Sequence, residues 1–320
     1  MILNIAIETM GQSEKQTLQS QRLQTLLERV HEKTHFYQEQ LDALGLIPAD
    51  IKGIQDIHKL PFTTSIDLCN HYPFGLLTMP VSGIARFEQS LDPRVVNGFT
   101  SKDLISQEEI IARSLVACYI TTTSTLLHLP ELTPSISARA LQQSAEMLGV
   151  TLITTQAKDS QNQLNIILDF GVTTLFATPS KLLEFANFLQ KQGIKTQDLP
   201  LMNLICEAQQ TPTALRNKLV ERFQVPIYTL YGRPDIMSLG IAGECYQQQG
   251  LHVHDDHFYP EIINPDTGVV LGNHQPGELV ITTLSREATP LLRYRTGETA
   301  FLTHEPCTCG RTSPRIIFDL

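Results

Sequence analysis

The chain has 320 residues, 42% hydrophobic and 18% charged, enough apolar material for one large core or two joined ones. Its net charge of -9 gives no field for a polyanion and its Lys and Arg do not cluster, which excludes nucleic acid as a partner. No segment approaches the roughly 20 apolar residues of a membrane span, and the opening residues lack a basic n-region and a small-residue cleavage site, so no membrane partner and a cytoplasmic location are expected.

In chain order, Ser13-Glu14-Lys15-Gln16 has capping-box form. Leu18, Leu23, Leu26, Leu27 and Val30 follow at helical spacing, predicting a long amphipathic helix toward Leu44. Alternating helix and strand signals come next. Helices are predicted at about 107–119, with Ser106 and Glu109 as a capping box, and at 136–148, 160–170 and 179–192, the last three each stopped by a glycine. Short apolar runs from Thr151, Thr173 and Leu201 read as buried strands of a mainly parallel sheet. Thr211-Pro212 opens a further helix with proline at its first position, and Pro226 begins another strand. From about Gly240 the signals become hairpin-like, with a turn over Asn264–Gly268 and a strand from Gly277. The expected division is a helical segment over 1–85, an α/β subdomain over 86–235 and a β-rich subdomain over 236–320.

The six cysteines are too few for a disulfide framework in a chain of this length. Cys69, Cys118 and Cys206 lie in apolar surroundings and read as small buried hydrophobes. Cys307-Thr308-Cys309-Gly310 is a tight knuckle that puts two thiolates on one turn. A structural zinc wants four such ligands in a closed tetrahedron. Cys245 and His252, seven residues apart across a turn, are the best candidates for the other two places, with His254 and His257 as alternatives for the fourth. Three cysteines leave no open position, so such a zinc is expected to be structural.

The series FY…L…G…DI…LPFT…DL…YPFGL over residues 36–76, the run Tyr294-Arg295-Thr296-Gly297-Glu298 and the CxCGRT segment at Cys307–Thr312 together resemble the phenylacetate-CoA ligase family of adenylate-forming enzymes. The resemblance runs from about residue 23 to 316. It implies an α/β fold of the adenylate-forming large-domain type, with parallel-sheet α/β subdomains followed by a β-rich subdomain. The sequence stops just after CxCGRT, so the C-terminal lid domain with its adenylation lysine is expected to be absent.

Site residues carried over from the family fall on altered positions. The Gly-Ala-Glu segment beside adenine corresponds to Glu207-Ala208-Gln209. The Tyr-Gly-x-Ser/Thr-Glu segment, whose tyrosine packs on adenine and whose glutamate helps hold magnesium, reads Tyr231-Gly232-Arg233-Pro234-Asp235. The ribose-binding aspartate is replaced by Glu298, which Arg295 either positions or leaves in favour of another acidic partner. The phosphate loop becomes Gln89-Ser90-Leu91-Asp92-Pro93-Arg94, without glycine or lysine, with proline removing a donor and Asp92 adding negative charge. In the acid-pocket segment Pro130–Ala138 no glycine is present, so a pocket refilled by side chains is expected.

The resemblance therefore implies a phenylacetate-CoA ligase-like protein with a structural zinc and a degenerate site for ATP or AMP and magnesium. The expected function is that of a catalytically inactive or impaired scaffold or regulator, acting through a protein partner or as a homodimer. The alternative is an AMP-forming CoA ligase for an aryl or other carboxylic acid that binds the adenylate and uses a lid supplied in trans.

Overall fold

The structure, a computed structural model, describes every residue except 91, 93, 130–135, 157, 208–212 and 319–320, together with the side chains of 136 and 207. The chain opens with α1 (Ile5–Glu8), α2 (Gln12–Lys33) and α3 (His35–Ala43). The single helix predicted from Ser13 toward Leu44 is thus two. Thr34 turns to extended backbone (φ -125°, ψ 121°), and both its amide and its hydroxyl bond the carbonyl of Val30. This closes α2 and lets Phe36, Tyr37 and Leu41 of α3 enter the same core as Leu23, Leu26, Leu27 and Val30.

After α4 (Ser65–Asn70), the hairpin of β1 (Arg86–Gln89) and β2 (Val96–Phe99) leads to α5 (Ser101–Ala117). The capping box of α5 is Thr100 with Asp103, not Ser106 with Glu109. Thr100 and Asp103 exchange backbone and side-chain bonds of 2.9 and 3.0 Å. The Asp103 carboxylate also accepts the amides of Glu287 and Ala288, whereas Glu109 accepts from Arg113 and from the Asn4 amide side chain.

The α/β region follows as β3 (Thr125–His128), α6 (Ile136–Leu148), β4 (Thr151–Ile153), α7 (Ser160–Phe170), β5 (Thr174–Ala177), α8 (Pro179–Lys191), β6 (Asn203–Glu207), α9 (Thr213–Phe223) and β7 (Ile227–Arg233). Thr211 and Pro212, predicted to open the helix that is now α9, lie outside the described residues. The β-rich end comprises β8 (Met237–Glu244), β9 (Leu251–Val253), β10 (Phe258–Ile263), β11 (Gly277–Thr283), β12 (Tyr294–Thr303) and β13 (Arg315–Ile317). Among the described residues, one eleven-stranded sheet runs β10-β11-β12-β13-β9-β8-β7-β6-β5-β3-β4. Its pairings are parallel from β4 to β7 and antiparallel from β7 to β10. The expected boundary at 235/236 falls in the turn between β7 and β8.

Alternation along the parallel strands builds two apolar layers. Leu127, Leu175 and Leu204 face Leu164, Ile167, Phe185 and Leu189. Their neighbours Leu126, Phe176 and Ile205 face Ile111, Leu115 and Leu141. The third and largest core lies under α2 and α3, where Leu26, Val30 and Tyr37 meet Ile281, Leu292 and Tyr294. No helix among the described residues is long and apolar enough to cross a membrane.

Candidate functional site

In a sheet of this kind ligands are held beyond the carboxyl ends of the parallel strands. There β6 ends at Glu207, in register with Leu230 of β7, and Tyr231, Gly232 and Arg233 finish β7. The side chain of Glu207, with all of Ala208 and Gln209, lies outside the described residues. Gly232 is required by packing: a Cβ there would lie 2.3 Å from the Ser238 carbonyl oxygen on β8. The bulge between Tyr231 and Arg233 turns the chain toward Asp235.

Five side chains then close on one another. Arg233 donates from Nε and Nη2 to the two Asp235 oxygens at 2.9 and 2.7 Å, while its Nη1 lies 3.2 Å from Glu298 Oε1. Tyr231 donates its hydroxyl to Glu298 Oε2, and Tyr294 donates to Asp235 Oδ2. Tyr231 and Tyr294 are both 0% exposed, and the Tyr231 ring lies 5.2 Å from that of Phe318. Burial, reinforced by Glu298, pushes the Tyr231 hydroxyl well up, so it stays protonated and donates. Burial likewise raises the Glu298 carboxyl, against the pull of Arg233. Arg295 does not position Glu298; its guanidinium holds Glu278 and the carbonyl of Pro265. Arg293 is paired with Glu261, both side chains being 3% exposed.

In the loop between β1 and β2 the amides of Ser90, Arg94 and Val95 are occupied by the chain itself. The Ser90 amide donates to the Val95 carbonyl at 2.8 Å and the Val95 amide to the Asp92 carbonyl at 3.0 Å. Asp92 Oδ1 accepts the Arg94 amide at 2.9 Å and its Oδ2 accepts from the Cys69 thiol at 3.4 Å. That amide and the thiol hold the Asp92 carboxyl below its usual range. A carboxylate of the protein thus already occupies the Arg94 N–H. Of the segment Pro130–Ala138, residues 130–135 are outside the described residues. His128, Arg139, Gln142 and Gln143 line an open cleft of about 540 Å³.

The second cluster lies at the β-rich end. Cys245 follows β8, His252 is on β9, and Cys307 and Cys309 form the knuckle between β12 and β13. Gly310 takes φ +90° to close that knuckle, with its amide 3.0 Å from the Cys307 carbonyl. All four side chains are buried, and their ligand atoms lie within 4.8 Å of one another. Cys245 Sγ is 3.8 Å from Cys307 Sγ, and Cys309 Sγ is 3.4 Å from His252 Nε2. With metal–sulfur and metal–nitrogen bonds of about 2.3 and 2.0 Å, a tetrahedral zinc needs edges of roughly 3.8 and 3.5 Å, which these two distances match. Ser313 Oγ lies 3.3 Å from His252 Nδ1 and orients the ring with Nε2 toward the thiols. The Cys309 thiol is drawn down by its bond from Cys245, and further by His252 and the Arg311 amide. His254 and His257 are directed elsewhere, to Ser114 at 2.8 Å and Ser285 at 2.6 Å.

Sequence reasoning placed Tyr231, Asp235 and Glu298 together and missed Arg233 and Tyr294, which complete their ring. The signal for Arg233 was available: an arginine two residues before an aspartate, on a strand that ends in a tight turn.

No protein-family model matches the chain. The chain is 36% identical to the phenylacetate-coenzyme A ligase of Thermus thermophilus over 321 residues, covering 99% of this chain and 72% of that protein. It is 34% identical to the phenylacetate-coenzyme A ligase of Aromatoleum evansii, covering 91% and 67%, and 33% identical to that of Escherichia coli, covering 91% and 68%. Among solved structures, an open conformation of 2-hydroxyisobutyryl-CoA ligase in complex with 2-HIB-AMP and CoA superposes with a TM-score of 0.88 at 20% identity, covering 97% of this chain and 70% of that one. A long-chain-fatty-acid-CoA ligase from Archaeoglobus fulgidus gives 0.54 at 13% identity, covering 70% and 48%.

Proposed function

The chain belongs to the phenylacetate-coenzyme A ligase family, and on that premise we propose that it is a member whose nucleotide site has closed on itself, leaving a scaffold or regulatory protein with impaired or no ligase chemistry. The observation that carries this reading is the ring of Tyr231, Arg233, Asp235, Tyr294 and Glu298. Its acids and hydroxyls, the groups that would meet magnesium, adenine and ribose, already bond one another or Arg233. A nucleotide entering there has to break charge-assisted bonds worth about 1.5–3 kcal/mol each before it makes any of its own. Asp92 adds a like charge where the phosphates would lie and occupies the Arg94 amide.

We further propose that Cys245, His252, Cys307 and Cys309 hold a structural zinc, which supplies a crosslink between the β8–β9 turn and the β12–β13 knuckle. The donor set, its burial and its spacing support this.

A second reading, an AMP-forming ligase for an aryl or other carboxylic acid, is favoured by the open cleft beside His128 and Arg139 and by the carboxylates of Asp235 and Glu298 at the family's positions. The two readings separate in one assay. The zinc-loaded full chain is incubated with MgATP, CoA and a panel of aryl and short-chain acids, and thioester and AMP are measured. The expected result is neither product above background. Product formation that disappears in Glu298→Ala overturns the first reading in favour of the second.

A further inference from the structure

Between α2, the first turns of α5 and the loop after β11 lies a cavity of about 260 Å³ that shares no lining residue with the nucleotide ring or the metal cluster. Its walls carry three permanent cations, Arg22 and Arg29 from α2 and Lys102 from α5, against a single lining carboxylate, Glu287. Asp256, behind the wall, is engaged by Arg113 in a two-bond pairing at 3.0 and 3.1 Å and by His257 at 3.2 Å. Its carboxylate also lies 3.8 Å from Arg22 Nη1 and its carbonyl accepts from Arg22, so Arg22 is engaged there and Arg29 and Lys102 are the cations the cavity offers. The His257 ring lies between Asp256 and Ser285, so this part of the wall is internally satisfied.

The position of Glu287 shows what the cavity accepts. One of its oxygens, Oε1, lies 2.7 Å from Lys102 Nζ and 3.8 Å from Arg29 Nη2, the place an incoming anion's oxygen would take. The Lys102 side chain is 75% exposed, so it can follow such a ligand with little loss of packing. Leu18, Leu26 and Leu284 line the same cavity, an apolar wall that suits an organic body rather than a bare ion.

We propose that this cavity is a second small-molecule site, which takes an organic anion, a carboxylate or a phosphate monoester, between Arg29 and Lys102 after Glu287 moves aside. The proposal is independent of whether the nucleotide ring opens.

Calorimetry of the full chain at low salt with phenyl phosphate, benzoate and inorganic phosphate tests it. Saturable one-to-one binding is expected for phenyl phosphate or benzoate, and the tighter of the two identifies the headgroup. Inorganic phosphate is expected to bind about tenfold more weakly for want of the apolar contact. Replacing Arg29 and Lys102 together by Ala is expected to weaken binding about tenfold or more, and Glu287→Gln to tighten it several-fold by removing the resident competitor. The gain in Glu287→Gln cannot arise from misfolding, which keeps the test independent of damage in the double variant. Absence of saturable binding by both organic anions, affinity unchanged in all these variants, or inorganic phosphate bound as tightly as the organic anions overturns the proposal.

Discussion

The thiol–imidazole cluster at Cys245, His252, Cys307 and Cys309 and the ring at Tyr231, Arg233, Asp235, Tyr294 and Glu298 are both withdrawn from water, yet they differ in what their atoms still lack. In the ring every acid meets a cation or a hydroxyl, so the group is complete as it stands. In the cluster three thiols and one imidazole converge on a common point with only weak sulfur contacts among them. Burial of polar groups therefore does not by itself mark a ligand site. What marks one is donor capacity left over after the protein's own partners are counted.

The largest effect that can break this contrast is metal removal. One zinc per chain is expected by elemental analysis. Its chelation, or Cys307→Ser, is expected to lower stability by about 3–5 kcal/mol or more in denaturant titrations, because a structural metal's binding energy is folding energy. Retained stability in a metal-free preparation would put the cluster in the same class as the ring.

A smaller effect is expected at the ring. Glu298→Ala leaves the buried Tyr231 hydroxyl and one Arg233 donor without their acceptor and is expected to cost about 1–3 kcal/mol. The pH dependence sharpens this. Burial raises the Glu298 carboxyl in the folded state, so the folded chain holds that proton more tightly than the unfolded chain. Its contribution is fully present below the ordinary glutamate range and is lost as pH rises through the raised folded value. Glu298→Gln is expected to remove that component of the slope of stability against pH. An unchanged slope contradicts the assignment.

Much of the fold was legible because it rests on local pattern. The helices at 136–148 and 160–170 match α6 and α7, and the short apolar runs became parallel strands, since period and glycine stops are properties of contiguous residues. The cysteine–histidine set was also legible, because few residue types can ligate zinc. What escaped was decided by distant partners. The capping box was read at Ser106 and Glu109, whereas the helix starts six residues earlier at Thr100, where Asp103 is also held by the amides of Glu287 and Ala288. Arg295 stands three residues from Glu298 but bonds Glu278 across the strand pair, while Arg233 arrives from β7. Asp92 could be read as a charge in the phosphate loop, but its bond to the Arg94 amide depends on a turn geometry that residue types alone do not specify.

The central claim is that the ring leaves no place for adenosine, and calorimetric titration of the zinc-loaded full chain with AMP and with MgATP tests it most directly. The account predicts no saturable heat up to millimolar nucleotide, in the wild type and in Glu298→Ala alike. One-to-one binding by the wild type that is lost in Glu298→Ala would contradict it.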